Sequence, residues 1–254
     1  MKVKRLIPAL AMLLIAAMML GTSTFAWFAM GKTVTATNVK VTAKSDNIFL
    51  QIKNASGESS NAAKTEAAAV AAAKVIPPVE YKAIAAADGT ITWGETTSAD
   101  PAQVNYTARA SLPDIVGVES DYVWKDTFKI WVAPNANANV GTNLVLTSVT
   151  NDVTGTDDMA NALRVLVVGP DCAMLWAPAG ASENGAALAG AGSVTVIDYK
   201  SNSKTALAAT VPQVEADAIT VTVYVYFSGN DDVVYTENVS DLAQHTLSLT
   251  FNVA

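Results

Sequence analysis

Apolar and polar residues alternate most strictly late in the chain, where Ile219, Val221, Val223, Val225 and Phe227 are interleaved with Thr220, Thr222, Tyr224 and Tyr226. Period two over nine residues predicts a half-buried strand. Leu247, Leu249, Phe251 and Val253 repeat the pattern against Thr246, Ser248, Thr250 and Asn252, and the two segments read as neighbouring antiparallel strands. A further long strand is predicted over 122–132, with Tyr122, Trp124, Phe128, Ile130 and Val132 on one face and Lys125, Thr127 and Lys129 on the other. Shorter candidates are Ile48–Lys53, Val104–Ala110, Leu144–Val149, Arg164–Val168 and Ser193–Ile197. Turn-rich stretches such as Pro134–Asn139 and Ser228–Asp231 separate them. The pattern predicts an all-β fold: a two-sheet antiparallel sandwich, jelly-roll-like, with one or two short helices, rather than a βαβ fold.

Helical signals are few. Asn61–Lys74 is an Ala-rich run ended by Pro77-Pro78, and Thr156-Asp157-Asp158 are placed to cap a short helix ending near Leu163. Gly180–Gly192 reads as a flexible loop. No internal repeat or long linker divides the chain. Thr33–Ala43 is strand-like, but its apolar phase changes from Val34 and Ala36 to Val39, Val41 and Ala43. A slip of one residue at Thr37-Asn38 implies a bulge or a strand that changes partner.

The start of the chain is patterned differently. Lys2, Lys4 and Arg5 precede an uncharged apolar run from Leu6 to Leu20, and small and hydroxyl residues follow from Gly21 to Ala26. That is the layout of a secretory signal, with cleavage expected between Ala26 and Trp27. The uncharged run continues to Met30, so an uncleaved anchor is the alternative. Either reading places the body of the protein, one β-sandwich domain over 27–254, outside the cytoplasmic membrane, secreted into a matrix or held at the cell surface. The membrane is met only through the N-terminal segment before cleavage.

Charge narrows the partners. The chain carries a formal charge of −7, and residues 1–26 hold three basic and no acidic side chains, so their removal gives −10. Such a surface repels phosphate backbones, which argues against nucleic acid as a partner. Cys172 is the only cysteine, so no intrachain disulfide forms in spite of an oxidising destination.

Candidate chemistry is sparse. His245 is the only histidine and lies in phase with Leu247 and Leu249, as a structural residue would. No His-Glu-x-x-His and no cysteine pair offers a zinc site. Asp157-Asp158 and Asp231-Asp232 supply hard oxygen ligands, which makes calcium the metal the composition would take, but none has the spacing of an EF-hand loop. Gly190-Ala191-Gly192-Ser193 lacks the lysine of a phosphate loop. Of Trp93, Trp124, Trp131 and Trp176, only Trp131 is out of phase with the core face of its strand, so a sugar-stacking platform is a weaker reading than a core one. No catalytic, cofactor or metal residue is assigned.

The junction Gly21-Thr-Ser-Thr-Phe-Ala-Trp-Phe28, followed closely by the strand Thr33–Ala43, resembles the start of the TasA/camelysin family of exported bacterial proteins. Thr24, Ala26, Trp27 and Phe28 match the core of the family pattern, with Trp27 in place of the commoner tyrosine. Val221–Phe227, Gly229 and the last strand are similar to Gram-positive exported proteins of this type. The resemblance implies a jelly-roll subunit, processed by a dedicated signal peptidase, that self-associates or joins other matrix subunits in extracellular, biofilm-type fibres. It also implies assembly by β-strand addition, with Thr33–Ala43 (Val34, Ala36, Val39, Val41 and Ala43) as the donor. The protease activity implied by the camelysin name finds no residue here to carry it. A monomeric surface module or adhesin for glycans or host ligands is the alternative from another class.

Overall fold

The computed structural model describes residues 33–34, 40–43, 50–53, 59–60, 65–66, 73–74, 79–95, 109–115, 123–132, 141–154, 159–234 and 244–253. Thr33–Ala254 forms one compact unit, and residues 1–32 lie outside the described residues.

The body is an all-β sandwich. One sheet has seven strands in the order Val194–Ile197, Ala173–Trp176, Leu163–Val168, Ile219–Phe227, Trp124–Val132, Leu50–Lys53 and Ser59–Ser60. The facing sheet has five, in the order Ala208–Val211, Gly141–Thr154, Gln244–Asn252, Lys40–Ala43 and Thr65–Glu66. Between them lies a core in which Phe128, Ile130, Val165, Val167, Val221 and Val223 from the first sheet meet Leu144, Leu247, Leu249 and Phe251 from the second. All ten are fully buried. The period-two pattern produces this directly, since alternate side chains point to one face of a strand.

The last two long strands correct the sequence reading. Ile219–Phe227 pairs with Trp124–Val132 and Leu163–Val168, whereas Gln244–Asn252 pairs with Gly141–Thr154. They belong to opposite sheets and meet through side chains across the core, an arrangement that two strands with one apolar face each satisfy as well as edge-to-edge pairing does.

A third layer was not legible. Val79–Ile84, Ile91–Glu95 and Asp114–Ile115 form a three-stranded antiparallel sheet. Its Val79, Tyr81, Ile91 and Trp93 pack with Leu166, Val168, Leu175, Tyr224 and Tyr226 on the outer face of the seven-stranded sheet. The middle of that sheet is therefore sealed on both sides. Leu163–Val168 and Ala173–Trp176 are buried at every position, which explains why their sequences, LRVLVV and AMLW, run apolar without alternation. The strand over 219–227 is likewise buried on both faces from Val223 onward.

Helices of any length are missing among the described residues, which hold only 3₁₀ turns at Arg109–Ser111, Ala160–Ala162 and Glu215–Asp217. The expected helix ending at Leu163 is the second of these: Met159 caps it without a side-chain bond, and Leu163 is already extended. Within the Ala-rich run 61–74, the described pieces Thr65–Glu66 and Ala73–Lys74 are strands. The predicted strand Val104–Ala110 ends in a 3₁₀ turn, its earlier part lying outside the described residues. Inside the expected loop 180–192, Ser182–Glu183 and Ala186–Ala187 form a hairpin. Its turn residues Asn184 and Gly185 have φ of 53° and 79°, as a type I′ turn requires.

Candidate functional site: an assembly strand and a sealed polar cluster

Two features stand out from the general packing. The first is the segment proposed from sequence as a donor strand. Thr33 and Val34 pair antiparallel with Lys74 and Ala73 in a sheet of their own. Lys40–Ala43 instead lies in the five-stranded sheet, parallel to Gln244–Asn252, with Val41 opposite Leu249 and Ala43 opposite Phe251. The two halves of the segment thus serve different sheets, on either side of the phase slip. Ala36 and Val39 lie outside the described residues, as do the cleavage candidates Ala26 and Trp27. Beyond Lys40–Ala43, the described part of the five-stranded sheet continues with Thr65 and Glu66, antiparallel to Val41 and Lys40. Among the described residues, Lys40–Ala43 pairs over four residues with a strand whose inward side chains Leu247, Leu249 and Phe251 are fully buried, and over two with Thr65–Glu66.

The second feature is a cluster of buried polar groups where the third layer meets the seven-stranded sheet. Arg164 and Tyr226 are cross-strand partners. The Arg164 guanidinium donates to Asp231 Oδ2 at 3.0 Å and to the carbonyls of Ser182 (2.8 Å) and Asn161 (2.7 Å). Asp231 Oδ2 also accepts the Ser182 N–H at 2.8 Å. This ion pair ties the 182–187 hairpin to the sheet. Beside it, Glu80 Oε1 accepts from the Tyr226 hydroxyl at 3.0 Å and from the Tyr81 N–H at 3.1 Å, while Oε2 accepts from the Ser228 hydroxyl. Arg109 closes the cluster: its Nη1 donates to the Tyr81 hydroxyl (2.6 Å), its Nη2 pairs with Glu183 (2.9 Å), and its Nε stands 3.6 Å from Glu80.

Burial dominates the electrostatics. Desolvation raises the Glu80 carboxyl above the usual carboxylate range, against the opposing pull of Arg109 and the Ser228 hydrogen bond. It also raises the Tyr226 hydroxyl well above its ordinary value, and the nearby Glu80 adds to the rise. Glu80, Tyr226 and Ser228 are each 1% exposed, so no substrate reaches this carboxylate and hydroxyl pair. Glu80, Tyr226 and Ser228 can fix layers in place, while Arg109 and Glu183, with side chains 26% and 25% exposed, stand at the rim.

No family profile, curated protein or solved structure matches this chain.

The remaining sequence candidates are absorbed by packing. His245 is buried, with Nδ1 3.0 Å from Asn151 Oδ1 and its ring edge-on to Phe227 at 5.7 Å. Asp231, a candidate calcium ligand, spends its oxygens on Arg164 and on the N–H groups of Ser182 and Val233. Asp157 and Asp158 lie outside the described residues. Among the described residues no three His, Cys, Asp or Glu side chains gather as a metal site. Trp93, Trp124, Trp131 and Trp176 are all buried, Trp131 included despite its phase, and so form no exposed stacking face. Sequence reasoning missed Glu80, Arg109 and Arg164 altogether. Single charges among apolar neighbours, as in V-E-Y and L-R-V-L-V-V, were the available signal.

Proposed function

We propose that this protein is an exported, non-enzymatic structural subunit of the TasA/camelysin kind, which assembles at the cell surface or in the extracellular matrix by β-strand addition through Thr33–Ala43. The observation that supports this most is the parallel seating of Lys40–Ala43 on Gln244–Asn252. A strand supplied from within one chain can be supplied by the next with the same main-chain hydrogen bonds, at little cost beyond that of association. The basic and apolar N-terminal segment supports export, and the sealing of Glu80, Tyr226 and Ser228 agrees with a structural role. Among the described residues no helix is long and apolar enough to cross a membrane.

Electron microscopy tests the proposal. The purified protein, concentrated, should form filaments, and a variant lacking Thr33–Ala43 should form none while keeping the β spectrum of the folded sandwich. Filaments of the same kind from both would reject Thr33–Ala43 as the joining strand. Monomers from both would favour the surface binding module.

A further inference from the structure

The buried polar cluster holds one more carboxyl group than it holds guanidinium groups. Arg164 has Asp231 at 3.0 Å and Arg109 has Glu183 at 2.9 Å, so each cation has a carboxylate of its own. Glu80 is the third carboxyl, and the nearest cation atom, Arg109 Nε, stands 3.6 Å away and makes no hydrogen bond among the described residues. Ionised, Glu80 is a buried charge without a full counter-charge; protonated, it is a neutral group among hydroxyl partners.

Glu80 also stands where two layers are joined. Its main chain belongs to Val79–Ile84 of the three-stranded sheet, whereas its hydroxyl partners Tyr226 and Ser228 lie in or directly after Ile219–Phe227 of the seven-stranded sheet. Beside it, the Gly229 N–H donates to the Val79 carbonyl at 3.2 Å and Arg109 reaches Glu183 across the same boundary. Val79, Tyr81, Ile91 and Trp93 supply the apolar part of the joint. The strands beneath are held independently, since Leu163–Val168 and Ile219–Phe227 pair with each other and with further strands of their own sheet.

We infer that the three-stranded sheet is a proton-operated flap, latched to the seven-stranded sheet while Glu80 keeps its proton and lifting from it as a unit when the proton is lost, with the sandwich beneath left intact. Opening returns Glu80 to water and brings Leu166, Leu175 and Tyr224 to the surface. Desolvation holds the docked carboxyl above its ordinary range, so between the ordinary and the docked value opening releases one proton, and the opening equilibrium rises about tenfold per pH unit. Below the ordinary glutamate value it is independent of pH.

The other charges that face Glu80 shape this window without replacing it. Arg109 and Arg164 favour ionisation and Glu183 opposes it. Asp231 is spent on Arg164, and Lys82, on the same strand as Glu80, pairs with Asp114 within the three-stranded sheet. Burial raises the Tyr81 and Tyr226 hydroxyls, which therefore keep their protons throughout. His245 lies in the five-stranded sheet against Phe227, away from this joint. The flap does not depend on the strand addition proposed above, which uses that other sheet.

Hydrogen exchange read by mass spectrometry tests it. In the purified protein, Val79–Ile84 and Ile91–Glu95 should lose protection by about tenfold per pH unit above the ordinary glutamate range, after correction to an unstructured peptide at the same pH, while Leu163–Val168 and Ile219–Phe227 keep theirs. A dye that fluoresces on apolar surface should brighten over the same range. Glu80→Gln has no proton to lose and should flatten both responses. The unaltered protein decides the matter even if that variant folds poorly: protection over 79–95 that does not change with pH, or that falls in step with 163–168, would overturn the inference. A folded Glu80→Gln that keeps the parent's pH response would overturn it as well.

Discussion

The two faces of the seven-stranded sheet are closed by different chemistry. On the inner face, Phe128, Ile130, Val165 and Val221 meet Leu247, Leu249 and Phe251 in an apolar layer. On the outer face a three-stranded sheet supplies few apolar side chains, Trp93 lying edge-on to Tyr224 and Tyr226 at 5.8 and 5.1 Å, and the rest of the attachment is polar. A wide layer holds by area, which is tolerant of register and of single losses. A small layer cannot bury enough, and buried hydrogen bonds and ion pairs then decide where it sits.

This contrast can be broken from either side. Phe128→Ala, in the inner layer, should cost about 3–5 kcal/mol in urea unfolding, with the loss equal at acid and neutral pH. Asp231→Ala should cost about 3 kcal/mol, because it strands the Arg164 guanidinium without its carboxylate, and replacing both by apolar residues should recover much of that loss. Equal costs for the single and double variants would mean that the pair's charge is immaterial to the outer layer.

Glu80→Gln sharpens the comparison through pH. Burial raises the folded pKa of Glu80, so its stabilising contribution is complete below the ordinary glutamate value and is lost as pH rises through the folded value. Glutamine keeps an acceptor toward Tyr226 and Tyr81 and has no proton to lose. At acid pH the variant should melt within about 1 kcal/mol of the parent, and the difference should move in the variant's favour as pH rises. A difference that stays flat would show that Glu80 does not titrate in this range. The smallest effect is expected at the rim, where Val196→Lys should change folding stability by under about 0.5 kcal/mol.

Much of the sandwich was legible because its strands alternate aliphatic with hydroxylated or charged residues, even in Ile219–Phe227, where Tyr224 and Tyr226 are buried under the third layer. Ile219–Phe227, Trp124–Val132 and Gln244–Asn252 announce themselves by alternation alone. Alternation fixes which side is buried but not which strand is adjacent, so the last two strands were assigned to one sheet when they oppose each other. Ala173–Trp176 went unread because a strand dry on both sides has no period. The Asn184-Gly185 hairpin was readable from its turn residues and was lost among the surrounding small residues. The Glu80 cluster left only a single charge among apolar neighbours as a local sign, since its hydroxyl partners Tyr226 and Ser228 lie 146 and 148 positions away along the chain.

The place of Gln244–Asn252 also bears on when the protein can fold. It lies between Gly141–Thr154 and Lys40–Ala43, so the five-stranded sheet cannot close until those residues have left the ribosome. A nascent chain holds Lys40–Ala43 and Gly141–Thr154 without their shared neighbour until residues 244–252 are made, and pairing over such a distance along the sequence is slow. For a polypeptide exported as proposed, a chain whose strand 244–252 has not yet emerged would still be threadable.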